Sequence, residues 1–183
     1  MDIVKRASFF HPQARLDERT FEAIFFEHYD RIYAVLFRLT GDPDEADDLA
    51  AETFWRLLER PPALDGNLGG WLYRVATRLG YNHLRANRRR SQYEAQAGLD
   101  EQRSAGEEPA GEVERLDERR RVHAVLKEMA LRDVQILILR HSGLSYREIA
   151  AAVGIADASV GTLLARAEER FEKLYTKGSR DAS

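Results

Sequence analysis

Between Trp71 and Tyr93 the chain carries six arginines, Arg74, Arg78, Arg85, Arg88, Arg89 and Arg90, and not one acid. A guanidinium presents fixed N–H donors that fork onto phosphate oxygens, and a row of them displaces counterions from a nucleic acid. Helical spacing sets Arg74, Arg78 and Arg85 beside the apolar stripe of Leu72, Val75 and Leu79 rather than on it. Basic residues also complement the negative end of a helix dipole. That accounts for the last few arginines and not for a row this long. The opposite sign gathers just upstream, in Asp42, Asp44, Glu45, Asp47, Asp48 and Glu52. Acids in a first turn favour the helix dipole, but six in this short stretch exceed what capping requires and suggest a basic protein partner. A calcium loop would need Gly at its sixth position, where Asp47 stands.

Catalytic chemistry finds no support. The five histidines lack ligand spacing, and there is no Gly-rich phosphate loop, H-E-x-x-H or G-x-S-x-G. The chain has no cysteine, which removes disulfides and thiolate metal sites and suits a reducing cytoplasm. No apolar run approaches the roughly 18 residues of a membrane span, and the first residues carry no signal-peptide core. The expectation is a soluble cytoplasmic protein that is not an enzyme, needs no cofactor or metal and does not insert in a membrane.

The elements that must position these charges read as helices. Phe21, Ile24, Phe25, Tyr29, Ile32, Leu36 and Leu39 follow helical spacing until Gly41. Asp42 can cap a second helix with Pro43 in its first turn, buried through Leu49, Thr53 and Leu57 and ended by Pro61 and Pro62. The loop "LDGNLGG" leads into a third helix, from about Leu68 or Trp71 to about Arg90. Residues 93–112 nearly lack large apolar side chains and carry Glu94, Asp100, Glu101, Glu107, Glu108 and Glu112, an acidic flexible linker. The apolar stripe resumes at Leu116, Val122, Val125, Leu126 and Met129. A short helix then stops at Gly143. Ser145 and Glu148 form a capping box for a two-turn helix closed by Gly154. Asp157 can cap the last helix, whose inner face reads Val160, Leu164, Ala167, Phe171 and Leu174 before the tail "TKGSRDAS" frays. Two short helices around a Gly-bearing turn make a helix-turn-helix. Nothing alternates with period two. The fold class is all-α. An N-terminal extension (1–17) precedes a helical domain (18–92), the linker (93–112), a helix-turn-helix domain (113–176) and a disordered tail (177–183).

The stretch "SVGTLLARAEERF", residues 159–171, occupies the place of a DNA-reading helix. Such a helix normally carries Arg, Lys, Asn or Gln on its groove face. This one offers Ser159, Thr162 and a late Arg166, with Gly161 between.

Three segments in order, "YDRIYAVLFRLTGDPDEADDLAAETFWRLLE", "WLYRVATRLGYNHLR" and "SGLSYREIAAAVGIADASVGTLLARAEERF", resemble an extracytoplasmic-function (ECF) RNA polymerase sigma factor. The likeness covers about Phe21–Arg90 and Leu116–Leu174 around a variable linker. It implies a region-two helical bundle that grips the clamp helices of core RNA polymerase and opens the −10 promoter element. It also implies a region-four domain that binds the −35 element and the polymerase flap, and an anti-sigma factor as partner. By resemblance, Asp44, Asp47, Asp48, Glu52 and Arg56 bind core polymerase, with Ala51 where the family often has Gln. Arg74, Arg78, Asn82, Arg85, Arg88 and Arg89 fall on the −10 helix. Asn67 fits the loop that captures a flipped base, and Trp71 either stacks a base or packs in the core. Arg140, Arg147, Ser159, Thr162 and Arg166 face the −35 element, while Gly161 and Leu163 replace the family's usual Lys and Arg. The implied function is directing core polymerase to the promoters of one regulon. Two rivals remain: a polymerase-independent helix-turn-helix regulator, and a sigma-like protein acting through protein contacts alone.

Overall fold

The structure is a computed structural model that describes residues 16–62, 67–96 and 110–181. These residues form seven helices and, among them, no strand: α1 (Glu18–Thr40), α2 (Pro43–Glu59), α3 (Leu68–Gln96), α4 (Ala110–Glu128), α5 (Leu131–His141), α6 (Tyr146–Val153) and α7 (Asp157–Asp181).

Local chemistry sets most of the boundaries. The Asp17 carboxylate accepts from the Thr20 N–H at 3.0 Å and starts α1. Gly41, at φ +73°, ends it, and the Asp42 carboxylate accepts from the Glu45 N–H at 3.0 Å to start α2 with Pro43 in its first turn. The expected capping box is complete, with Ser145 Oγ and the Glu148 carboxylate satisfying each other's backbone N–H groups. Gly154, at φ +78°, closes α6 after eight residues. Four boundaries differ from the sequence reading. The third helix continues through residues 93–96 and α4 begins at Ala110, so helix enters both ends of the expected linker. Asp157 lies inside the first turn of α7 rather than before it, because Ala156 already holds the entry, its carbonyl accepting from the Ser159 N–H at 2.9 Å. The last helix also runs to Asp181, past the expected fray point. Residues 1–15, 63–66, 97–109 and 182–183, with the core of the linker and the end of the tail, lie outside the described residues.

The larger finding is that the two helical units share one core. Helices α1–α3 bury Ile32, Leu36, Leu39, Phe54, Leu57 and Leu72, and the same cluster continues into Leu126, Ile136, Leu139, Ile149 and Val160 of α4–α7. Polar contacts seal the seam. The Tyr81 hydroxyl donates to the Met129 carbonyl at 2.8 Å, and buried Gln135 donates to the Thr77 hydroxyl at 2.8 Å. His123 of α4 fits against the α1–α2 turn, with Nε2 3.3 Å from the Arg38 carbonyl. A Cβ on Gly41 would stand 2.5 Å from the His123 ring, so this turn needs Gly for its left-handed φ and for its neighbour.

Candidate nucleic-acid and polymerase interface

The acidic face of α2 stands off the buried stripe, as its spacing dictates. Asp44, Asp47 and Asp48 are exposed, and Glu52 is held by Arg56 at 2.8 Å across one helical turn. Asp47 accepts a hydrogen bond from the Tyr29 hydroxyl, which drives that phenol's pKa up to about 12. Sequence reasoning named only the charges. The structure adds Trp55, 57% exposed, and Leu58, 37% exposed, on the same helix. Both lie off the Leu49, Thr53 and Leu57 stripe, so spacing alone could have found them. Helical spacing puts Trp55 on the same solvent face of α2 as Asp44, Asp48 and Glu52, the pattern of an apolar anchor with a polar rim.

The basic face of α3 divides. Arg74, Arg78, Asn82 and Arg85 share one exposed row of the helix. Arg78 and Asn82 are open. Arg85 lies over the Tyr81 ring, its Cζ 5.8 Å from the centroid. Arg74 is committed elsewhere. Its Nε donates to the Ala152 carbonyl and its Nη2 to the Ala151 carbonyl, each at 2.8 Å. Those are the carbonyls that the end of α6 leaves without partners, so the guanidinium caps a helix of the other unit. Beside it, Arg31 pairs with Glu148 at 3.3 Å. Arg88 and Arg89 follow on α3, beyond the side chains that are described.

Asn67 has a structural task. Its side-chain oxygen accepts from the Gly70 N–H at 2.7 Å and caps α3. Trp71 is half-buried against the core, as its place beside the stripe allowed.

In the second unit Arg140, Arg147, Thr162 and Arg166 are exposed and Ser159 is half-buried. The outer face of α7 therefore carries no cation before Arg166, as the sequence indicated. Among the described residues no cluster of His, Asp or Glu could hold a metal, and no single helix is long and apolar enough to cross a membrane.

Comparison with known proteins agrees with this division. A family model for sigma-70 region 2 matches residues 24–90, and one for sigma-70 region 4 matches residues 119–171. The ECF RNA polymerase sigma factor SigE of Mycolicibacterium smegmatis is 29% identical over 161 residues, covering 86% of this chain and 62% of the relative. The chain thus spans under two thirds of that relative's length. The RNA polymerase sigma-H factor of Pseudomonas aeruginosa is 28% identical over 182 residues and 92% of each chain. Two solved structures share the fold. CnrH in complex with the cytosolic domain of CnrY gives a TM-score of 0.55 at 19% identity, over 88% of this chain and 90% of that one. The sigma factor RpoE in complex with the anti-sigma factor NepR, from Bartonella quintana, gives 0.54 at 20% identity, over 86% and 98%.

Proposed function

Because the chain belongs to the sigma-70 family as an ECF RNA polymerase sigma factor, we propose that it binds core RNA polymerase through α2 and opens promoter DNA along α3. The observation that carries this reading is the pairing, within residues 24–90, of an acidic face around exposed Trp55 with a row of arginines on the next helix. One face suits a basic protein and the other suits phosphates. The protein acts by binding energy and not as an enzyme. A base leaving the duplex exchanges stacking there for stacking and hydrogen bonds on protein, near Asn67 and Trp71.

The docked arrangement is a resting state. A guanidinium whose Nε–Nη2 edge caps α6 cannot present that same edge to a phosphate, so forking Arg74 onto DNA with the rest of the α3 row requires α6 to leave it. The Tyr73 hydroxyl, buried in the same region with no hydrogen-bond partner among the described residues, makes docking less than fully satisfied. The proteins of like fold in the two structures named above are each in complex with a protein partner, in one of them an anti-sigma factor, and a comparable anti-sigma partner here would stabilise the closed form.

Run-off transcription with core polymerase tests the reading. Specific transcripts that require both core and the chain are expected. Binding of the free chain to a symmetric DNA site as a dimer, without core, would instead favour a polymerase-independent regulator.

A further inference from the structure

A hollow of about 530 Å³ lies between α1 of the first unit and α4 of the second. One side of it is aromatic. Tyr33 and Phe37 stand one turn apart on α1, their rings 6° from parallel and their centroids 6.2 Å apart. Val122 faces them from α4, and the small Ala34 leaves the room between. Two cations share the lining. Arg119 of α4 lies over the Phe37 ring, with Cζ 5.4 Å from the centroid. Arg38 gives Nη1 to the Ala34 carbonyl at 3.1 Å and keeps its other donors. Neither guanidinium meets a carboxylate among the described residues. The acid of the lining is Glu118, and both its oxygens accept from the Tyr175 hydroxyl, at 2.9 and 2.8 Å. His123 closes one end, and burial holds its pKa below the usual 6.5, so its ring adds no charge at neutral pH.

We propose that this hollow binds a small aromatic acid, with its ring against Tyr33, Phe37 and Val122 and its carboxylate on Arg119 and Arg38. Small-molecule sites occupy roughly 300–1,000 Å³ and combine an apolar lining with a few polar groups that fix orientation. Ring faces favour a planar ring, and a guanidinium forks onto a carboxylate. Two unpaired cations against one acid that is already engaged select an anion over a cation. Because α1 and α4 belong to different units, the hollow exists only while the units are docked. A ligand in it favours the docked form by its own binding free energy. The site stands apart from the proposed function, but this consequence rests on it: docking is the state that withholds Arg74 from DNA. The aromatic acid is then a brake on promoter opening.

Thermal melts of the full chain with indole-3-acetate read the binding. The melting temperature should rise with concentration and saturate. Tryptamine, which carries the same ring on a cation, and acetate, which has no ring, should leave it unchanged. Arg119→Gln and Arg38→Gln should each weaken the apparent affinity about tenfold, the scale of a charge-assisted hydrogen bond. Ala34→Leu, which fills the hollow, should abolish the response. Both arginines are exposed, so their variants decide the matter even where Ala34→Leu does not fold. No rise in the wild type would overturn the site. An equal rise with tryptamine would overturn the choice of an anion, and an equal rise with octanoate the choice of a ring. A response unchanged in the arginine variants would overturn the place. In run-off transcription, indole-3-acetate should lower the yield from wild type and spare Arg119→Gln. Inhibition of both alike would overturn the brake. Absence of any transcript without the acid would count against the proposed function, and the melts would still judge the site.

Discussion

The α3 face and the α7 face solve the same electrostatic problem in opposite ways. The α3 row has charge to spare, and the molecule uses its first member, Arg74, to cap a helix of the other unit. The α7 face is open to solvent and has almost no charge before Arg166. In the docked state the face with the stronger hold is thus partly closed by the unit with the weaker one. Reading charge off a sequence locates a candidate phosphate-binding face, but whether it is available depends on what else needs its donors. Backbone carbonyls at a helix end compete for a guanidinium as directly as phosphates do.

The strongest way to separate the two units is to remove the protein anchor from one of them. Trp55→Ala should weaken core-polymerase binding by about thirtyfold, the scale of an interface hot spot near 2 kcal/mol. Its exposure leaves the melting temperature unchanged. Titration of core with labelled protein reads this, and an unaltered affinity would remove α2 from the interface.

Next in size is the charge contrast itself. Replacing Arg78 and Arg85 with Ala should lower promoter affinity about tenfold and flatten the salt slope by up to about 0.9 for each phosphate that is no longer neutralised. Replacing Ser159 and Thr162 with Ala should leave the slope unchanged, because neutral hydroxyls release no counterion. Equal slopes for both pairs would erase the difference between the faces.

A smaller effect concerns the seam. Burial holds the His123 pKa below its usual 6.5, and the cationic neighbours Lys127 and Arg119 push the same way, against the hydrogen bond at the Arg38 carbonyl. The unfolded chain therefore takes up the proton before the folded one does, and stability falls as pH drops below 6.5. Thermal melts at about pH 7.5 and about pH 5.5 should show this loss. His123→Gln should reduce the pH dependence, whatever it does to the melting temperature itself.

The smallest is at Gly161, where a Cβ makes only an ordinary contact with the Tyr146 ring. Gly161→Ala should stabilise α7 by up to about 1 kcal/mol, raising the melting temperature by a few degrees in calorimetry. A fall would mean that the ring of Tyr146 cannot give way even to a methyl.

Much of the fold is legible in the sequence because it is local. Asp42 with Pro43, Ser145 with Glu148, and the glycines at 41 and 154 each fix a boundary through residues within a turn of themselves. The off-stripe positions of the α2 acids and α3 arginines follow from helical period alone. The docking is not legible, because its partners are a backbone and distant side chains. Nothing in "AAAVG" announces that the Ala151 and Ala152 carbonyls will engage Arg74. Gln135 looks out of place in an apolar run until Thr77 is found facing it. Asn67 reads as a base-binding amide by type, yet half of that amide is used to start its own helix.

That α6 must leave Arg74 for DNA to bind along α3 is the central claim, and a distance measurement tests it most directly. The chain has no cysteine, so two introduced ones give unique labels. Glu59→Cys at the end of α2 and Glu172→Cys on α7, both exposed, can carry spin labels for pulsed distance spectroscopy. One short, narrow distance is expected in the free protein, replaced by a long one when core polymerase and promoter DNA are added. Arg74→Ala should broaden the free distribution toward the long distance. A complex that is active in transcription while keeping the short distance would contradict the claim.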